Sequence, residues 1–257
     1  MTSKSLSFSL TLSTTELGWL AGAFSLTRLA LPIVIPLLSE DALRRAQESL
    51  AMRGLIRRDP GTGWQTDRLA AFLVQWLGAG ERYLRLDVDR REEKSLQAGL
   101  YARPRLFLLA ECAPEQVTFF FLPDEKSLAD QLAAFLSLKL VRCGEREFTL
   151  PQPRELVRAT WQDVGDALSR RAEPVEAQSK GSARRALTHS GLSKQDAAST
   201  LAWIQSLKNI VTFSHISPEG GEPLVLCSDG SALWAGASGK FVPCSWKDAV
   251  RQVLEML

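Results

Sequence analysis

The sequence predicts an α+β protein in which a duplicated unit packs around one central antiparallel sheet flanked by helices. Two observations carry this. Both halves, about 7–138 and 146–257, run strand, helix, helix, strands and closing helix. Val117–Leu138 also has the strand, proline, helix order of Phe241–Leu257, with Pro123 matching Pro243. With 257 residues, 45% of them hydrophobic, the chain can bury a sizeable core as a single domain built of these two halves.

In the first half, Ser7–Leu12 alternates apolar with hydroxyl residues and reads as a strand. Thr14 or Thr15 then caps a helix with Leu17, Leu20, Ala21 and Phe24 on one face. Leu29–Leu38 is apolar, but Pro32 and Pro36 bar it from a helix interior or a central strand, so it reads as a buried crossing segment, an edge strand or part of a docking surface. Leu43, Ala46 and Leu50 mark a helix that Gly54 ends, and Asp59–Gly63 turns the chain into Thr66, an N-cap with Asp67 in the first turn. Leu69, Phe72, Leu73, Trp76 and Leu77 form a second helical stripe, and Leu84, Leu86 and Val88 switch the period to two. Asp89–Arg103 reads as a charged loop. The strands Arg105–Cys112 and Val117–Leu122 meet at a short turn, and Asp124 caps a helix with Leu128, Leu132, Phe135 and Leu136 inward.

In the second half, Glu147–Leu150 is strand-like and Pro153–Leu168 carries Val157, Trp161, Val164 and Leu168 at helical spacing. The polar, charged segment at about 170–185 reads as flexible. Ser193 caps a helix with Ala197, Leu201, Ile204 and Leu207 inward and Trp203 at the edge. Strands follow at Val211–His215, Leu224–Cys227, Ala232–Ala235 and Lys240–Pro243, with Asp229-Gly230 as a hairpin turn. The closing helix places Trp246, Ala249, Val250, Val253, Leu254 and Leu257 on one stripe.

Composition narrows the function. The net charge is +2, from 31 basic and 29 acidic residues, whereas gripping phosphates takes a stronger basic excess. Nucleic acid is therefore an unfavoured partner. Cys112, Cys143, Cys227 and Cys244 are far apart and form no CxxC, which fits thiols in a reducing compartment rather than a disulfide framework or zinc site. Met1–Ser13 lacks a signal-peptide pattern and the longest apolar run carries two prolines, so a cytoplasmic protein without membrane insertion is expected.

Chemistry is scarce. His189 and His215 are the only histidines, and no nucleophile elbow, phosphate loop, dinucleotide fingerprint or zinc motif is present. Asp87 and Asp89 could form a carboxylate pair, but a strand running into a charged loop gives the same letters. No catalytic, cofactor or metal residues are assigned, and binding is the expected activity. One alternative is a winged-helix DNA regulator using the helix-turn-helix at 40–68, with Arg53, Arg57, Arg58 and Arg68 as its contacts.

The stretch Ala46–Ile56, the turn, Thr66–Leu73 and Glu81–Leu86 together resemble the EspG family of cytosolic chaperones of ESX (type VII) secretion. The hairpin Arg105–Leu122 with its helix and the closing Phe241-Val242-Pro243 plus amphipathic helix are similar too. The resemblance implies a pseudo-twofold α+β fold, a central antiparallel sheet with two helical bundles, that recognises PE–PPE secretion substrates at an exposed apolar tip. It also implies a protein partner, a helical secreted pair, and no cofactor. The sequence departs from the family's Asp-Thr and Gly-Arg-Tyr signature, reading Leu-Cys-Ser-Asp-Gly-Ser-Ala-Leu-Trp over Leu226–Trp234. Trp161, Trp203 and Leu207 are the candidate partner-binding residues.

Overall fold

The computed structural model describes residues 8–35, 37–61, 63–78, 83–104, 106–138, 142–149, 157–158, 160–161, 187–188, 191–216, 220–237 and 239–257. These form a mixed α+β protein with a large antiparallel sheet and six helices. They divide into two compact units, Met1–Arg85 with Leu96–Leu128 and Ile216–Glu219, and Leu86–Ser95 with Ala129–His215 and Gly220–Leu257. The expected flexible stretch at 170–185, His189 and most of the helix expected at Pro153–Leu168 lie outside the described residues.

The first unit opens with β1 (Phe8–Ser13) and α1 (Thr14–Ala23), then α2 (Glu40–Met52), β2 (Ile56–Asp59), β3 (Gly63–Thr66) and α3 (Arg68–Gly78). It takes the start of β4 (Tyr83–Arg90), then β5 (Leu96–Arg103), β6 (Leu106–Cys112), β7 (Gln116–Leu122) and the start of α4 (Glu125–Phe135). Strands β1, β7, β6 and β5 pair antiparallel in that order. Alternation fixes the register, because a one-residue slip would turn Val117, Phe119 and Phe121 out of the core. Phe8 opposes Phe121 directly, and their rings stack at 4.4 Å.

Several local expectations are corrected here. The cap of α1 is Ser13 rather than Thr14 or Thr15, since Ser13 has a glutamate three residues on and the two close a reciprocal capping box. Likewise α3 begins at Arg68, and the Asp67 carboxylate accepts the Leu69 N–H in place of a Thr66 cap. The segment between α2 and α3 is a two-stranded hairpin instead of a bare turn, so 40–68 forms helix, hairpin, helix. Its strands have four residues each, and β2 is largely charged, so neither shows a period of two. The charged loop is only 91–95, and β5 follows it, paired to β6 from Gln97 to Arg103. Leu29 and Leu31 enter the core while Val34 and Leu37 are exposed, and the proline-bearing segment forms neither helix nor strand.

Glu16 ties the first unit's helices together. Its side chain is nearly inaccessible, at 4% exposure, yet it accepts hydrogen bonds from the Ser13 N–H and Ser49 hydroxyl at 2.8 Å each and from the Arg53 guanidinium at 2.9 Å. Arg53 also donates to the Thr11 carbonyl at 2.6 Å, which joins the end of α2 to β1. Burial alone would raise the Glu16 carboxyl, but the hydrogen bonds from Ser13, Ser49 and Arg53, with the Arg53 charge, outweigh it and hold it below its ordinary value.

The second unit holds the rest of β4 and α4, then β8 (Arg142–Cys143), β9 (Phe148–Thr149), α5 (Lys194–Ser206), β10 (Asn209–Ile216), β11 (Leu224–Ser228), β12 (Ala232–Ala237), β13 (Lys240–Pro243) and α6 (Trp246–Met256). Strands β10, β11, β12, β13 and β9 pair antiparallel in that order, and β8 adds to β12 in parallel. Ser193 and Ser245 cap α5 and α6, each accepting the N–H of an aspartate three residues on. The Asp229 carboxylate accepts the Ser231 and Ala232 N–H groups, and Gly230 at φ +92° closes that turn. The order helix, four strands, helix thus occurs twice, as α3-β4-β5-β6-β7-α4 and as α5-β10-β11-β12-β13-α6. Among the described residues no helix is long and apolar enough to cross a membrane.

Glu16→Gln should destabilise the protein by about 1–3 kcal/mol at neutral pH, the cost of a lost charge-assisted bond and an under-paired neighbour. A depressed carboxylate contributes stability above its unfolded value and loses it as pH falls through its folded value. Denaturant unfolding should therefore show wild type losing its advantage over the variant on acidification through the carboxylate range. A constant gap across that range would refute this account of Glu16.

Candidate binding groove

The inner face of α5 explains where a groove forms. Ala197, Leu201 and Ile204 pack into the second unit's core with Val157, Leu187 and Ile210, while Ser199, Ala202 and Ser206 recur along one side of the same helix. Small residues at that spacing leave room beside the helix. The space is an open cavity of about 620 Å³ whose walls come from α5, β12 and the β8–β9 segment.

Its floor is aromatic. Phe148 stacks on Trp203 with ring centroids 4.4 Å apart and planes 3° from parallel. Trp234 meets Trp203 edge-on at 5.6 Å and 70°, and Phe241 tilts against Trp203 from the core at 5.4 Å. These offset and edge contacts are the arrangements that ring quadrupoles favour. The Trp234 indole N–H donates to the Arg146 carbonyl at 3.0 Å. Beside it the chain must be glycine: a Cβ on Gly144 would lie 2.4 Å from the Trp234 ring. The rim carries Arg142 and Arg146 against Glu145 and Asp229, a nearly balanced set.

Of the three residues singled out from sequence, only Trp203 lines the groove, and it is 5% exposed. Leu207 is fully buried in the same core, and Trp161 packs partly buried against it. The indole nitrogens of Trp161 and Trp203 are buried without a hydrogen-bond partner among the described residues. Sequence reading missed Phe148, Trp234 and the two arginines, because they reach the groove through long-range pairing, and it missed Gly144 behind Trp234. The small-residue spacing of α5 was the one local signal available.

Several of the remaining candidates have structural occupations. Asp89 is buried, accepts the Ser95 hydroxyl at 2.7 Å and pairs with Arg158 at 3.5 Å, and Asp87 is buried beside it in β4. No cluster of three metal-binding side chains occurs among the described residues. His215 lies on β10 against Gly221. Of the arginines weighed for DNA, Arg53 is bound to Glu16 and Arg57 donates to Gln65 across the hairpin.

Fold and groove together define an α+β scaffold that offers an aromatic concavity. Neither a protein-family profile nor a curated protein matches the chain. Among solved structures it is similar to the Mycobacterium tuberculosis type VII secretion system chaperone EspG5, determined in complex with the PE25-PPE41 dimer. The match has a TM-score of 0.60 and covers 97% of each chain, at 14% identity. At that identity the likeness is one of fold.

Two substitutions test the groove's construction. Trp203→Ala should cost about 3–5 kcal/mol, as truncation of a buried aromatic does. Gly144→Ala should cost about 1–3 kcal/mol through overpacking against Trp234. Urea unfolding checks both, and a Gly144→Ala midpoint equal to wild type would show that Trp234 is not held as described.

Proposed function

We propose that the protein is a non-enzymatic chaperone that captures a helical secretion substrate, a pair of the PE–PPE kind or one of similar shape, in the manner of ESX-associated chaperones in the cytoplasm. The observation that carries this reading is the likeness in fold to a type VII secretion chaperone along 97% of both chains. The scarcity of catalytic motifs and the aromatic groove are in keeping with it, since holding a helical client takes an apolar concavity rather than a catalyst. The repeated order of helix, four strands and helix supports descent by internal duplication.

The groove beside α5 is the binding surface we assign. Trp203 and Leu207 contribute by shaping its wall and backing, with Trp161 against the same core, while the client touches the mouth formed by Ser199, Ala202 and the arginines. Recognition of this type places an amphipathic helix or helical tip over an apolar floor within a polar rim.

Co-expression with helical pairs of the PE–PPE class, followed by size-exclusion chromatography, tests the proposal. A client pair should co-elute with the wild-type chain. Ala202→Trp, at an exposed groove position, should abolish co-elution while leaving the thermal midpoint within a few degrees. If no pair co-elutes with folded protein, the chaperone reading fails. If one co-elutes equally well with Ala202→Trp, the groove assignment fails.

A further inference from the structure

Two cysteine-bearing segments meet at the edge of the groove. Cys143 is exposed, lines the cavity and sits in β8 in parallel register with Leu233. Cys244 directly follows β13 and is 4% exposed. The N–H of Gly144 and the N–H of Cys244 donate to one acceptor, the Leu233 carbonyl oxygen, at 3.3 and 3.0 Å. A carbonyl points to one side of its strand, so β8 takes up the edge of β12 where β13 leaves it, and the two cysteines lie end to end along that edge. Gly144 pressed onto the Trp234 ring holds β8 there.

The geometry points to a redox site, in which Cys143 and Cys244 form an intramolecular disulfide on meeting a peroxide. A disulfide needs Cα atoms roughly 4.4–6.8 Å apart, and two segments sharing one carbonyl acceptor approach each other on that scale. The roles divide by access. The sulfur of the exposed Cys143 attacks a peroxide oxygen, the O–O bond breaks, the sulfur keeps one oxygen as a sulfenic acid, and the departing hydroxide or alkoxide leaves with the thiol proton as the first water or alcohol. Cys244 then attacks the Cys143 sulfur, the S–O bond breaks, the S–S bond forms, and hydroxide leaves with the Cys244 proton as water. Two thiols are oxidised and one peroxide is reduced.

Surroundings keep Cys244 in reserve. Burial first, then the Asp248 carboxylate and Cys143, push its thiol up to about 11, against a smaller opposing effect of Arg251, and the thiol lies 3.3 Å from the Ser245 carbonyl. It is thus protonated until a sulfenic acid forms beside it. The other two cysteines lie elsewhere: Cys112 is in β6 and Cys227 in β11, neither beside the shared Leu233 acceptor, and burial pushes the Cys112 thiol up to about 12 and Cys227 higher still. Closing the bond would staple β8 to the start of α6 and fix one wall of the groove, whatever the groove binds.

The test is titration of the reduced full-length protein with hydrogen peroxide under native conditions. Remaining thiols are then alkylated, and the unreduced digest is read by mass spectrometry. Wild type should lose two of its four thiols and yield a peptide pair joined through Cys143 and Cys244. Cys143→Ser and Cys244→Ser should each lose that pair, with circular dichroism confirming that they fold. Treated Cys244→Ser should accumulate the Cys143 sulfenic acid, trapped by dimedone. The inference is overturned if wild type yields only Cys143 sulfinic acid or an intermolecular disulfide, or if the linked pair appears only after denaturation.

Discussion

The second unit depends on where Trp234 is held. The ring has an edge contact with Trp203, a hydrogen bond from its indole to the Arg146 carbonyl, and the bare backbone of Gly144 against its face. The contacts fix two pieces of chain: α5 through Trp203, and the β8–β9 connection through both Gly144 and Arg146. The groove is what remains when α5 and the β8–β9 connection converge on this indole of β12 and Ser199, Ala202 and Ser206 of α5 face the space beside Trp203. Aromatic packing supplies the stability, and the missing bulk of Ser199, Ala202 and Ser206 supplies the concavity.

In the first unit the corresponding task falls to a charge. Glu16 stands at the first turn of α1, where the helix dipole favours an anion, and it collects donors from Ser13, Ser49 and Arg53. Its burial is tolerated because its oxygens are satisfied on all sides. A buried carboxylate with one fewer donor would be a defect. Arg53, one of the four arginines weighed for a nucleic-acid reading, is consumed in this network, and its second nitrogen closes the carbonyl of Thr11. The cation therefore belongs to the architecture of the helix pair.

Periodicity made the long elements legible. Leu69, Phe72, Leu73, Trp76 and Leu77 could be placed on a helix from spacing alone, and the strands Leu106–Cys112 and Gln116–Leu122 showed as apolar runs around a short turn. Short elements were hidden. In β2 the residues Arg57 and Arg58 are exposed and nothing alternates, so a hairpin looks like a basic turn. In β5 the charges just before it masked the strand, and Gly99 broke its pattern, although that glycine is there because a Cβ would strike Tyr101 at 2.5 Å. The groove was least legible. Trp203 could be flagged as a tryptophan near a helix edge, yet its stacking on Phe148 joins residues 55 positions apart, and no local pattern encodes that.

The burial of Trp203 constrains how the groove can recognise anything. A side chain with 5% exposure contributes little direct contact area to a visitor, so its influence is to keep the floor flat and the wall in place. Binding energy must instead come from what is open: the small side chains of α5 and the charged rim. That rim pairs two arginines with two acids, and the chain as a whole carries only +2, so long-range steering of a charged partner is weak. A site built this way discriminates by shape and by short-range matching of hydrogen bonds, with slow dissociation rather than fast capture as the source of affinity.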